Sequence, residues 1–175
     1  MSDDETDKYG VSPLSNYDIV NTVTKDMKDR VNIIDTQELE DINTIEDIFH
    51  NRGHAVLFLP PDDGSTPVGH WVCLLRQKTG GRTRKGNVIY FDSYGDPLPN
   101  GKIKQILKQK YKVIEQNGKR YQQYETNLCG FWCLLMISLN KIIPNLNLDL
   151  IERFLKKKPS NMSYDEFVGR MTEAI

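Results

Sequence analysis

The segment from Cys129 to Ile143 (CGFWCLLMISLNKII) constrains the fold more than any other, because Phe131 to Ile137 carry no polar side chain. A helix that is apolar on every side must be covered on every side. Spanning a bilayer takes about 20 apolar residues. This run is shorter and stops at Pro144. Its place is therefore the middle of a protein core, between a sheet and further helices. At 175 residues the chain is long enough to build one such core.

The rest of the sequence supplies the cover. Ala55–Leu59 (AVLFL), His70–Arg76 (HWVCLLR) and Asn87–Asp92 (NVIYFD) are short runs, apolar on both faces and bounded by turn residues. That is the pattern of strands inside a sheet. Residues 60–69 and 77–87 read as turn-rich connections, and SYGDPLPNG (93–101) as the turn that ends the third strand. Residues 113–124 (VIEQNGKRYQQY) hold Asn117-Gly118 between two strand-like runs, which predicts a β-hairpin. Helices are expected after Ser15, with Ile19, Val20, Val23 and Met27 on one face, and over Thr44–Asn51, closed by Gly53. A basic helix is expected over 102–111, with two more at 148–157 and 164–174, the last started by a Ser163–Glu166 capping box. The reading is an acidic, disordered tail over 1–13 and a single domain over 14–175. The domain is α+β: a small mixed or antiparallel sheet packed on a buried central helix, with flanking helices.

Composition narrows the function. The net charge of −1 gives no global attraction to nucleic acid. Arg82, Arg84 and Lys85, the lysines between Lys102 and Lys112, and Lys156–Lys158 are local basic groups, read as solvated faces or as a weak DNA contact. The opening MSDDETDKYG has no apolar core of a signal peptide, and the cysteines number three. Reduced thiols in a reducing compartment are expected, without disulfides. Cys129/Cys133 and His50/His54 are each four apart, but neither pair finds the partners of a metal site. No glycine-rich phosphate loop is present, and no cofactor, metal or membrane is expected.

Two readings of Cys129 compete. A free cysteine is commonly a small buried hydrophobe, and Cys133, one turn deeper, fits that description. Cys129 follows Asn127 and Leu128 at the start of the core helix, where unpaired amides and the helix dipole favour an anion. A thiolate there is a nucleophile. Gly130, lacking a side chain, lets a substrate backbone approach. The base would be His70, which opens a central strand behind a loop; the alternative is a hydrogen-bonded strand-end histidine. His50 and His54 read as solvated and structural. Asp92 ends the strand NVIYFD, as a turn former or as the partner of His70. If strands 70–76 and 87–92 pair antiparallel, His70 and Asp92 come together. Gln122 or Gln123 could direct an amide at a carbonyl oxygen, or lie exposed.

His70-Trp71, Phe91–Gly95 (FDSYG) and Gln122–Gly130 (QQ-x5-CG), with a second cysteine at 133, resemble the adenain-like and SUMO-protease-like cysteine peptidases in motif order. The motifs occupy about half the chain. The resemblance implies His70 as general base, Asp92 as its orienting carboxylate and Cys129 as nucleophile. Gln123 has the SUMO-protease spacing of six to the cysteine and is preferred as oxyanion donor; Gln122 has the viral spacing of seven. Asp92 matches the cellular members, since adenovirus enzymes use glutamate there. Trp71 would line a substrate channel suited to glycine-containing sites, or else pack in the core. The near-solitary domain and its richness in Lys, Asn and Ile point to a virophage, a polinton-like element or a large DNA virus. The expected function is a monomeric maturation protease acting on capsid or core precursors in the virion or at a cytoplasmic assembly site. The alternatives are a deubiquitinating or deSUMOylating isopeptidase, a related acyltransferase, and a binding protein that kept the fold. Self-cleavage at Gly80-Gly81 is a further expectation, beside a plain loop tip.

Overall fold

The computed structural model describes residues 31–59, 69–76, 86–123 and 126–173. The expected tail, the helix after Ser15, most of the two connections at 60–69 and 77–87, and Gly80-Gly81 lie outside the described residues.

Among the described residues, five strands form one mixed sheet in sequential order: β1 (Val31–Ile34), β2 (His54–Leu59), β3 (His70–Arg76), β4 (Asn87–Phe91) and β5 (Val113–Gln116). The three inner strands pair antiparallel, whereas β1 joins β2 and β5 joins β4 in parallel. Helices cover both faces. On one lie α1 (Ile45–Phe49) and α2 (Lys102–Lys110), whose Ile48, Phe49 and Leu107 meet Leu57, Val72, Leu74 and Tyr90. On the other lie α3 (Cys129–Ile142), α4 (Leu148–Leu155) and α5 (Tyr164–Glu173), packed on Val56, Cys73, Leu75 and Phe91. Adjacent strand residues thus enter different cores, which is why β2 to β4 read as unbroken apolar runs. The fold is α+β, with the apolar α3 enclosed between the sheet and its neighbouring helices.

Local signals set several boundaries. Thr44 caps α1 through a reciprocal capping box with Asp47. The helix ends at Phe49, before the expected Asn51, because His50 and Asn51 adopt left-handed backbone (φ 46° and 59°) ahead of Gly53. Asn147 caps α4 through Leu150 N, and Ser163 Oγ accepts from Glu166 N at the start of α5.

The hairpin at 113–124 does not form. Residues 113–116 pair with β4 instead, and residues 117–123 run on without strand structure. Gly118 does take positive φ, 55°, but no strand follows it to pair with residues 113–116. Two elements lacked a clear pattern in the sequence: the four-residue β1 and a 3-10 helix over Thr36–Asp41.

Candidate active site

The antiparallel register of β3 and β4, with Cys73 opposite Phe91, places the start of β3 beside the end of β4. His70 is the first residue of β3 and Asp92 follows the last of β4. Their side chains meet, His70 Nε2 to Asp92 Oδ1, at 2.6 Å. Gly69 permits this entry into β3. A Cβ there would lie 2.5 Å from the Phe58 ring and 2.6 Å from the Leu59 carbonyl oxygen, leaving no room for a side chain.

The two roles weighed for Asp92 are filled together. Its Oδ1 also accepts from Tyr94 N at 2.8 Å, and its carbonyl accepts from Gly95 N at 2.8 Å, which folds residues 92–95 into a tight turn. Gly95 has φ 79° and lies against the backbone of Lys119 and Arg120, where a Cβ would approach to 2.6 Å. Tyr94, carried by this turn, stacks on the imidazole with ring centroids 4.4 Å apart and planes 20° from parallel. Asn117 reaches the backbone of Asp92 from the end of β5, accepting from its N–H at 3.0 Å and donating to its carbonyl at 2.6 Å.

Cys129 is the first residue of α3, after Leu128 at the cap position. The first hydrogen bond of the helix runs from Trp132 N to Leu128 O, so the amides of Cys129, Gly130 and Phe131 lie ahead of it at the helix mouth. The partly exposed Cys129 thiol is within hydrogen-bonding reach of His70. With Nε2 engaged by Asp92, Nδ1 is the ring nitrogen left for the sulfur. Burial opposes a charged imidazole, but the bonds to Asp92 and Cys129 outweigh it and raise the His70 pKa from 6.5 to about 9. His70 is thus held as the imidazolium at neutral pH. Cys133 contrasts with Cys129. It is 1% exposed, and burial, with a hydrogen bond to the buried Cys73, pushes its thiol well up.

The two glutamines occupy different surroundings. Gln122 is 1% exposed; its Oε1 accepts from Ser93 Oγ at 2.6 Å and its Nε2 donates to Thr126 O at 2.8 Å. Its amide braces the Asp92 turn against the segment entering α3. Gln123 is exposed, and its backbone N donates to Asp165 Oδ2 at 3.0 Å. Trp71 is 2% exposed and packs on Phe58 with centroids 4.6 Å apart, the core position of its two readings. Gly130 is buried in the first turn of α3. His50 is exposed, whereas His54 is buried and accepts from Asn140 Nδ2 at 2.9 Å in the tautomer with Nε2 unprotonated.

Sequence reasoning missed Tyr94, Asn117, Ser93 and Asp165. Tyr94 stood inside the motif FDSYG, but no spacing rule aims it at a ring. Asn117 carried a signal that was read as a turn. Asp165, buried on α5, accepts from Trp132 Nε1 at 3.3 Å as well as from Gln123 N, and nothing local marks it in the sequence.

No family model matches the sequence, and no curated protein matches it. Solved structures that share its fold include the crystal structure of the ASFV pS273R protease and that of its selenomethionine form. The TM-score is 0.54 for both, at 15% and 16% identity over 89% of this chain. The chain spans 66% of the length of that protease. At this identity the likeness establishes a common fold.

Proposed function

We propose that this protein is a viral cysteine endopeptidase of the SUMO-protease-like class. It cleaves capsid or core precursors during virion maturation, at glycine-containing sites. The observation that carries the reading is a single imidazole set between the Asp92 carboxylate, at 2.6 Å, and the thiol at the mouth of α3. The fold shared with the ASFV pS273R protease supports it.

The chemistry follows from that arrangement. Cys129 Sγ, as thiolate, attacks the scissile carbonyl carbon while His70 holds the proton. Collapse of the tetrahedral intermediate breaks the C–N bond, and His70 gives its proton to the leaving amine. Neutral His70 then takes a proton from water, whose oxygen attacks the thioester. The acid product leaves, and Cys129 and protonated His70 are restored. Asp92 keeps the ring oriented and supports its positive charge throughout. Amides at the start of α3, with the Gln123 carboxamide, would receive the oxyanion. A monomer working in a reducing assembly site fits a mechanism that needs a free thiol. Exposed Lys108, Lys110 and Lys112 support at most a weak, salt-sensitive DNA contact.

The test is incubation of wild type and Cys129→Ala with candidate precursor proteins. Processing by wild type alone is expected. Equal processing by both would defeat the assignment, and cleavage only of ubiquitin-like fusions would replace it with an isopeptidase.

A further inference from the structure

We infer that Asn117 is a positioning residue for Asp92: its carboxamide grips the backbone of Asp92 on both sides and so fixes where the carboxylate meets His70. The inference rests on the peptidase reading above and deepens it. Main-chain pairing between β4 and β5 ends at Tyr90 opposite Gln116. Beyond that rung Gly118 takes positive φ, 55°, and residues 117–123 form no strand. Asp92 lies just past the end of β4, where no further strand backbone holds it.

The Asn117 side chain continues the ladder. Its Oδ1 accepts from Asp92 N at 3.0 Å, and its Nδ2 donates to Asp92 O at 2.6 Å. A strand residue offers the same donor and acceptor pair, its own N–H and C=O, to a neighbouring strand. Nδ2 also donates to Lys119 O at 2.9 Å, which anchors the carboxamide in its own loop. Donor and acceptor must sit side by side, so neither an aliphatic side chain nor a hydroxyl reproduces the pair. A shift of Asp92 would break two bonds to Asn117 as well as its Oδ1 bonds to His70 Nε2 and Tyr94 N. Among the described residues, the groups facing the imidazole are the Asp92 carboxylate, the Cys129 thiol and the Tyr94 ring. Of these, Asp92 is the one Asn117 holds directly.

Asn117→Ala, Asp92→Asn and their double variant are compared with wild type. Three measurements are made: cleavage of internally quenched glycine-containing peptides, alkylation of Cys129 by iodoacetamide, and the NMR titration of the His70 ring. Loss of the grip should lower kcat by about 10- to 100-fold with KM nearly unchanged, the scale of effect for a misplaced catalytic group. His70 should titrate at lower pH than in wild type, shifted toward its value in Asp92→Asn. Adding Asn117→Ala to Asp92→Asn should cost nothing further in kcat, because the carboxylate being positioned is already gone. A His70 titration identical to wild type, or losses that multiply in the double variant, would overturn the inference. If Asn117→Ala does not fold, Asn117→Ser, which keeps one hydroxyl for the Asp92 amide, is read by the same measurements. If wild type cuts no peptide in a Cys129-dependent way, the peptidase reading fails, while the titration and the alkylation rate still decide the role of Asn117.

Discussion

Burial alone would strip the proton from His70, yet its neighbours retain it. An imidazole that titrates at about 9 when folded and at 6.5 when unfolded binds its proton more tightly in the native state. The resulting stabilisation is complete below pH 6.5 and is lost as pH rises through about 9. At about 1.4 kcal/mol per unit, the contribution reaches up to about 3 kcal/mol. Urea unfolding at a series of pH values should show wild type losing this increment between those limits, with His70→Gln lacking that slope. Parallel curves would mean that Asp92 and Cys129 do not hold the proton. His70 and Asp92 were legible as a pair because antiparallel pairing alone dictates which strand ends meet. Asn117 was not, because a side chain acting as a rung of a ladder has no periodicity of its own. An Asn-Gly pair reads as a hairpin until the partner strand is known.

The elements show where such legibility comes from. Strands β2, β3 and β4 are buried on both faces, so their apolar runs could be found without knowing their partners. The edge strand β1 is four residues long, too short to show a pattern, and β5 was found only as half of a hairpin. Close fit between elements is less visible still. Gly69 looks like part of a loop, but its missing side chain lets the start of β3 lie against Phe58 and Leu59. Gly69→Ala should therefore push β3 from β2 at the His70 end. A loss of about 1–3 kcal/mol in unfolding free energy is expected, the usual cost of overpacking. The same variant should slow Cys129 alkylation. An unchanged unfolding midpoint would mean that the strand ends yield without strain.

Across the whole molecule, the site depends on parts far apart in the sequence. The buried helix α3 predicted a cover of sheet and helices, and α4 and α5 fulfil it on one side. The layer of α1 and α2 on the opposite face could not be assigned, because an amphipathic helix does not say which side of a sheet it will join. Asp165 links the parts: from α5 it accepts from Gln123 N, ahead of Cys129, and from Trp132 Nε1, within α3. Asp165→Ala would remove the acceptor of the buried Trp132 Nε1 donor, at a cost of about 1–3 kcal/mol. Lower stability and slower Cys129 alkylation are expected together; a stability loss with alkylation unchanged would confine Asp165 to a role in folding. There is a consequence for synthesis. During translation His70, Asp92 and Cys129 are made before Asp165, so they emerge before α5 can brace the segment that carries Cys129. The brace that Asp165 gives to this region therefore waits for the synthesis of α5.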